Sequence, residues 1–443
     1  MPAAAAPRRL RETPVVEQAV ILAGPVPAGR PAAGDPRRVL LGLGLLERMV
    51  QTLGHEGIRD VLVVARGSGE GLDALRAKAG EWGRTGARVR FSSPAAAELP
   101  LPGRPFLLAA GMAVFAPGTA QEIRRLEVEN DRILVAGSSC GRQAFKGLAL
   151  CPAASFRSLM PEIAGEVLPG RAGSRLDGAP PLAANGGGWV MAEGRAGERQ
   201  ARRLLRRSLG KPSDGFFSRH LNRRLSWPIS RLLIRLGVRP NPVTIANLLL
   251  GLAGAALLAH GGFAATVAAG LLFQFVSITD GCDGEIARLT FRHSALGARL
   301  DNVCDAIVIV AFFLCLPVGL YAHSRDVGYL VLGGAMVLSV AVFYLLLLLR
   351  VRLSRHRGNI AEIAHEVQHR DKAGRPLTWL ERLGTRLGFI YRKEFISLYS
   401  MAWCVVGRAQ GLLWTLVVLT PVGIVYQLDS IRKLLKKKQK TTN

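Results

Sequence analysis

At 443 residues the chain has room for two domains, and 49% of it is hydrophobic, with a mean hydropathy of +0.24. Its 58 lysines and arginines outnumber 32 acidic residues, for a formal net charge of +26, and only ten of the 58 are lysine. That charge would suit a nucleic-acid binder, but no recognition motif accompanies it. The apolar runs of the second half point instead to an anionic membrane surface, so no nucleic-acid partner is expected. The six cysteines, Cys140, Cys151, Cys282, Cys304, Cys315 and Cys404, form no C-x-x-C pair and fall largely in apolar runs. They read as small core residues in a reducing compartment, which argues against a disulfide or zinc framework.

In chain order, residues 1–14 are rich in Arg and Pro, carry no secretory signal and are expected to be disordered. Residues 15–200 read as a soluble α/β domain. Short apolar runs at Val16–Leu22 and Val61–Ala65 suit buried parallel strands, and Val89–Phe91, Phe106–Ala110 and Arg132–Ala136 are further strand candidates. Between the first two, 39–56 has helical spacing. Strands alternating with helices imply a doubly wound sheet. The Gly-, Ala- and Pro-rich stretch 170–200, with Asn185-Gly-Gly-Gly188, reads as a loop.

Segment 201–239 alternates arginine pairs (Arg202, Arg203, Arg206, Arg207) with apolar residues such as Leu232, Leu233 and Ile234. It reads as a basic amphipathic juxtamembrane segment lying on the bilayer surface. From 240 to 430 six apolar spans are predicted, at 243–260, 263–281, 300–321, 327–350, 394–408 and 411–428; spans near 20 residues fit a bilayer core, and the fifth is short and polar in places. Basic residues crowd one side of these spans, and 431–443 forms a basic tail, while the opposite loops are short and carry few charges. This asymmetry predicts a multi-pass protein of the inner or plasma membrane with both termini in the cytoplasm.

Four carboxylates sit at the end of the second span and the start of the third. Asp280 and Asp283 are i, i+3 on one helix face, extended by Ala287 with Arg288 beside it; Gly297, Asp301 and Asp305 follow at i, i+4, i+8 on the next. Acids are costly beside a bilayer, and four in register are a functional site by default. If the two helices pack antiparallel, the four carboxylates converge, and oxygen-only ligands favour Mg²⁺, Mn²⁺ or Ca²⁺ over zinc. Four carboxylates can hold two ions roughly 3.5–4 Å apart, as in phosphoryl-transfer sites. Gly284 and Gly297 let a ligand or helix approach closely, and Arg288 offers a diphosphate its fork of donors. Helix-end charges at the water interface, or a divalent-metal transporter site, are the other readings of the same residues.

The run Asp280-Gly-Cys-Asp283-Gly284-Glu-Ile-Ala287-Arg288, followed by Gly297-x-x-x-Asp301-x-x-x-Asp305, resembles the CDP-alcohol phosphotransferase signature D-x-x-D-G-x-x-A-R-x(8)-G-x-x-x-D-x-x-x-D at every fixed position. The resemblance covers about 211–430. It implies an all-α six-helix transmembrane enzyme that cleaves a CDP-alcohol, joins its phosphate-bearing part to a second alcohol and releases CMP. It further implies two ions, Mg²⁺ or Mn²⁺, on the four aspartates, with Asp305 also accepting the acceptor's proton, and a homodimer. Gly284, Ala287, Arg288 and Gly297 would line the nucleotide pocket, with Asn241 and Thr244 closing it, all on the cytoplasmic side. The donor would be CDP-diacylglycerol or a CDP-inositol-like compound and the acceptor an alcohol or alcohol phosphate. Asp214-Gly215-Phe-Phe-Ser218-Arg219-His-Leu-Asn222-Arg223 is reminiscent of the branch that makes inositol-phosphate lipids. Arg299, Arg350, Arg352 and Arg392 are candidates for an anionic acceptor, or positive-inside anchors.

The first half is similar to a sugar-nucleotidyltransferase domain, with departures. The loop Leu22-Ala23-Gly24 to Gly29-Arg30 fits loosely, Pro36-Arg37 stands where Pro-Lys would be expected, and Ala109-Ala-Gly111-Met112 stands where a metal aspartate would follow a strand. The resemblance therefore implies a degenerate nucleotidyltransferase-like domain. A catalytically silent membrane anchor for that domain is a third reading of the second half.

Overall fold

The computed structural model describes residues 16–23, 38–65, 73, 76–79, 82, 86–92, 104–119, 134–135, 148–156, 159, 188–210, 217–353 and 393–442. Expectations for 1–14, the loop from Gly24 to Arg37, most of 170–200, Asp214 and Gly215, Cys140 and Arg392 lie outside these residues. The chain divides into two compact units, Met1–Leu209 and Gly210–Asn443.

In the first unit a six-stranded sheet forms from β1 (Gln18–Ala23), β4 (Asp60–Ala65), β5 (Arg88–Ser92), β6 (Phe106–Ala110), β8 (Leu134–Val135) and β9 (Leu148–Cys151), in the order β5-β4-β1-β6-β9-β8. The first four are parallel, with Val20 opposite both Leu62 and Leu108. β9 runs antiparallel to β6 and β8 antiparallel to β9, so the sheet is mixed. Alternate residues of the central strands feed separate cores, Ile21, Val63 and Leu107 on one face and Val20, Leu22, Leu62 and Leu108 on the other. The helix expected over 39–56 is shorter than its spacing suggests. A small hairpin of β2 (Val39–Leu40) and β3 (Leu43–Gly44) takes its start, and only α1 (Leu45–His55) is helical. Leu41 and Gly42 both have positive φ, 49° and 82°, which turns the chain tightly, and buried Arg48 donates to the carbonyls of Leu40 (2.7 Å) and Leu41 (3.1 Å). A two-stranded ribbon of β7 (Ala113–Phe115) and β10 (Trp189–Met191) packs against α2 (Gly194–Ser208). α2 buries Gly197, Ala201 and Leu205 and exposes Arg195, Arg199, Arg203, Arg206 and Arg207. The boundary between the units thus falls inside the 201–239 segment.

The second unit is helical: a wide turn at Ser218–Asn222, then α3 (Arg223–Arg235), α4 (Pro240–His260), α5 (Phe263–Leu289), α6 (Ala295–Ser324), α7 (Gly328–Leu353), α8 (Lys393–Val405) and α9 (Ala409–Thr442). Among the described residues five helices, α4, α5, α6, α7 and α9, are long and apolar enough to cross a membrane. The remaining expected span corresponds to α8, which has 13 described residues and begins at the first residue after an undescribed stretch. Pro240 starts α4, and Gly261 and Gly262, at φ 73° and 80°, turn the chain tightly into α5. The Ser294 hydroxyl accepts from Gly297 N at 2.9 Å and caps α6.

Small residues bring the membrane helices together. A Cβ on Gly319 of α6 would lie 1.8 Å from the Leu258 carbonyl oxygen of α4, and one on Gly251 would lie 2.5 Å from Val308. Such close crossings compensate for the weak hydrophobic drive between helices in lipid. Phe273 of α5 stacks on Phe312 of α6 at 4.0 Å in the same core. These contacts fix the α4–α5–α6 trio that carries the four aspartates.

Candidate active site

The α5–α6 connection is short, so the C-terminal end of α5 and the N-terminal end of α6 lie side by side. Asp280, on α5, and Asp301 and Asp305, on α6, offer carboxylate oxygens all within 4.8 Å of one another. Asp283 has a different setting. Buried at 6% exposure, it accepts from the Thr244 hydroxyl on α4 at 2.5 Å and from Gly284 N at 2.5 Å. The four acids predicted from spacing therefore converge, Asp280, Asp301 and Asp305 as a trio and Asp283 against Asp301 while anchored by α4.

Three carboxylates this close repel unless a cation joins them. Lys393, at the start of α8, does so: its Nζ lies 3.0 Å from Asp280 Oδ1 and also bonds Asp305 Oδ1. The all-oxygen donors of this trio could hold a hard divalent cation.

Asp280 and Asp301 open onto a cleft that Asp305 does not itself line. Its lining includes Asp280, Gly281, Asp283, Gly284, Arg288 and Asp301 from the signature, Lys393 and Glu394 from α8, Ser277 and Ile278 from α5, and Ser218, Asn222, Arg223 and Ser226 from α3 and the turn before it. Gly284 earns its place: a Cβ there would meet Arg288 Nη1 at 3.3 Å, so the small residue leaves room for the guanidinium along the cleft wall. Asn241 lies against Gly297, where a Cβ would come 3.2 Å from Asn241 Oδ1. Thr244 acts through Asp283. Ala287 is half-buried on α5. Asn241, Thr244, Ala287 and Gly297 thus stand behind the cleft or beside it, while Gly284 and Arg288 line it.

The acceptor candidates separate from this group. Arg299 and Arg352 are exposed and neither lines the cleft. Arg350 is turned the other way, donating to Gln427 Oε1 at 3.1 Å and lying over the Tyr426 ring.

Spacing alone did not reveal several of the lining residues. Lys393 lies 88 residues beyond Asp305, and only the fold brings it back. Arg223 pairs with buried Glu285 at 2.9 Å. The sequence does carry a signal for that pair, because Arg223, Ser226 and Ser230 recur at i, i+3, i+7 and share one face of α3.

Residues 238–422 match the family model described as CDP-alcohol phosphatidyltransferase. A "Bifunctional IPC transferase and DIPP synthase" of Thermococcus kodakarensis is 38% identical over 162 residues, 36% of this chain and 36% of the relative. Its namesake in Archaeoglobus fulgidus is 36% identical over 152 residues, 34% of this chain and 30% of the relative. A phosphatidylinositol phosphate synthase of Mycobacterium tuberculosis is 35% identical over 111 residues, 25% of this chain and 50% of the relative. The matches to the two bifunctional proteins span about a third of their length. A crystal structure of the Mycobacterium tuberculosis phosphatidylinositol phosphate synthase with CDP-DAG bound aligns with 47% of this chain and 94% of its own, at 24% identity and a TM-score of 0.33, too loose to bear on the fold. The second half of the chain, over residues 238–422, is a CDP-alcohol phosphatidyltransferase domain.

Proposed function

We propose that this chain is an integral-membrane phosphotransferase of inositol phospholipid synthesis. It moves the phosphate-bearing part of a CDP-alcohol onto an acceptor alcohol and releases CMP. The observation that carries this reading is the complete signature from Asp280 to Asp305, with Asp280, Asp283 and Asp301 lining a cleft and Asp305 beside Asp280 and Asp301. The names of the relatives support inositol-containing products. The donor is CDP-diacylglycerol or a CDP-inositol-like compound, and the acceptor an alcohol or alcohol phosphate.

In this reading Asp280, Asp301 and Asp305 would hold divalent cation, and Asp283 would complete the set for two ions, Mg²⁺ or Mn²⁺. When bound, such ions neutralise a diphosphate and lower the charge barrier to attack on phosphorus. The chain's own residues do the rest. Arg288, laid over Gly284, meets the diphosphate from one wall of the cleft, and Arg223 faces it from α3. Thr244 fixes the orientation of Asp283 through its 2.5 Å hydrogen bond. Asp305 takes the acceptor's proton once Lys393 swings off its carboxylate. Lys393, released, stays at the cleft wall as a positive charge for an anionic acceptor.

The basic flanks of the apolar helices support a cytoplasmic site and cytoplasmic termini. The α8 segment serves as the sixth span, and the protein works as a homodimer. The first unit is a degenerate nucleotidyltransferase-like domain, since Gly111 and Met112 follow β6 where a metal aspartate would stand. A divalent-metal transporter would use the same acids, but the family match lends it no support.

The test crosses CDP-diacylglycerol and CDP-inositol with inositol phosphate, glycerol phosphate, inositol and serine. CMP release by detergent-purified protein is read with Mg²⁺ or Mn²⁺, and Asp305→Asn is the blank. Cation-dependent release with one donor–acceptor pair names the reaction. Metal flux into proteoliposomes without CMP release from any pair would overturn it in favour of transport.

A further inference from the structure

We propose that Glu285 is a positioning residue that docks α3 onto α5 and aims Arg223 into the cleft. Glu285 occupies a variable position of the signature, between Gly284 and Ala287, yet its carboxylate is 1% exposed. Burying a carboxylate is expensive unless it is paired and hydrogen-bonded. Here α3 supplies every partner seen. Oε1 accepts from Arg223 Nη1 at 2.9 Å and from the Ser226 hydroxyl at 2.8 Å, and Oε2 accepts from the Ser230 hydroxyl at 2.7 Å. These three donors are the i, i+3, i+7 stripe of α3, so a single acid on α5 reads two turns of the facing helix.

The same face also buries Trp227 and Ile234, and it makes two further polar contacts. Asn222 Nδ2 donates to the Ser277 carbonyl at 3.2 Å, and the Cys282 thiol sits 3.6 Å from the Ser226 carbonyl. The other side of α3 exposes Leu225, Leu232 and Leu236 at 44%, 55% and 68%. A membrane interface would accept those leucines in any docking state, so the apolar part of the docked face is Trp227 and Ile234. Apolar packing is non-directional, whereas the hydrogen bonds of the polar stripe set rotation and register, and the charge at their centre is Glu285.

Docking has a consequence for the cleft. Arg223 lines it beside Asp280, Gly281 and Gly284, and a Cβ on Gly281 would lie 3.9 Å from Arg223 Nη1. Glu285 binds that same nitrogen from behind. The guanidinium is thereby held at the wall where an anionic phosphate group would lie, with its geometry set by an acid that never meets the substrate. The substrate part of this inference rests on the transfer reading above; the docking part does not.

Cys282 supplies the test, because it is fully buried under α3. Maleimide labelling of the full-length protein in nanodiscs, resolved to each cysteine by mass spectrometry, reads docking without turnover. Glu285→Gln, and separately Ser226→Ala with Ser230→Ala, should speed Cys282 labelling by about tenfold, the scale of losing one or two such hydrogen bonds. Cys151 and Cys404, buried elsewhere, should keep their wild-type rates and so report intact folding. In the transfer assay Glu285→Gln should raise KM for the CDP-alcohol about tenfold with kcat changed by less than about twofold. Unchanged Cys282 labelling in both variants overturns the docking role. Faster labelling with an unchanged KM overturns the aiming of Arg223. Since labelling needs no substrate, it decides the docking even if no CDP-alcohol is turned over.

Discussion

Thr244→Val isolates one hydrogen bond at the heart of the site. Thr244 is 5% exposed and gives its hydroxyl to Asp283 Oδ2 at 2.5 Å, and Asp283 is itself 6% exposed. Valine has nearly the same shape and no donor, so the substitution removes a charge-assisted bond and leaves packing in place. Losing such a bond to a buried carboxylate costs about 1.5–3 kcal/mol, and at about 1.4 kcal/mol per decade that is a factor of about 10–150. Asp283 keeps its bond from Gly284 N, so the effect should fall toward the lower end. The assay is kcat/KM for CMP release over a range of donor concentrations, with thermal melting as the check on folding. Thr244→Ser, which keeps the hydroxyl, should stay close to wild type. Valine within about twofold of wild type would refute the reasoning. So would serine as damaged as valine, which would make the methyl group the part that matters.

Gly319→Val should separate α4 from α6, because its Cβ would fall 1.8 Å from the Leu258 carbonyl, a backbone atom that cannot move aside. A loss of about 3 kcal/mol or more, seen as a lower melting temperature in detergent, is expected. Lys393→Gln removes the ammonium that shares Asp280 and Asp305, and should tighten Mn²⁺ binding by at least about tenfold, measured by Mn²⁺-dependent thermal shift. Asp305→Asn should abolish turnover while nucleotide binding, read by calorimetry with CDP, survives; loss of both would make Asp305 mainly a metal ligand. In the first unit, Arg48→Met leaves the Leu40 and Leu41 carbonyls without their donor, and should cost about 1–3 kcal/mol, with faster hydrogen exchange confined to 39–44.

Much of the site was legible because helix periodicity is local. Asp280 and Asp283, and then Gly297, Asp301 and Asp305, needed only the 3.6-residue repeat to fall on facing sides of two adjacent helices. The anchoring of Asp283 was not legible, because it depends on Thr244 arriving from α4. Lys393 was invisible for a similar reason: nothing near Asp305 in the chain announces a lysine 88 residues away. Glu285 looked like a spacer because the motif leaves its position free, although the matching stripe on α3 could have been read.

In the first unit the long buried strands at 18–23, 60–65 and 106–110 were readable as continuous apolar runs. The β2–β3 hairpin was not, because Leu41 and Gly42 make a turn of the kind usually written Asn-Gly, inside a run whose apolar spacing also suits a helix. β9, at four residues, is too short for any period to show. Arg299, Arg350, Arg352 and Arg392 stand out in the sequence only by their charge. Charge alone does not say which way a side chain turns, and Arg350 turns to Gln427.

The most direct test of the central claim is CMP release by the purified wild-type protein given its CDP-alcohol and acceptor, first with EDTA and then with excess Mn²⁺, beside Asp280→Asn and Asp301→Asn. The account predicts no CMP in EDTA, recovery with Mn²⁺, and none from either variant under any condition. CMP release that persists in EDTA, or in both aspartate variants, would contradict it.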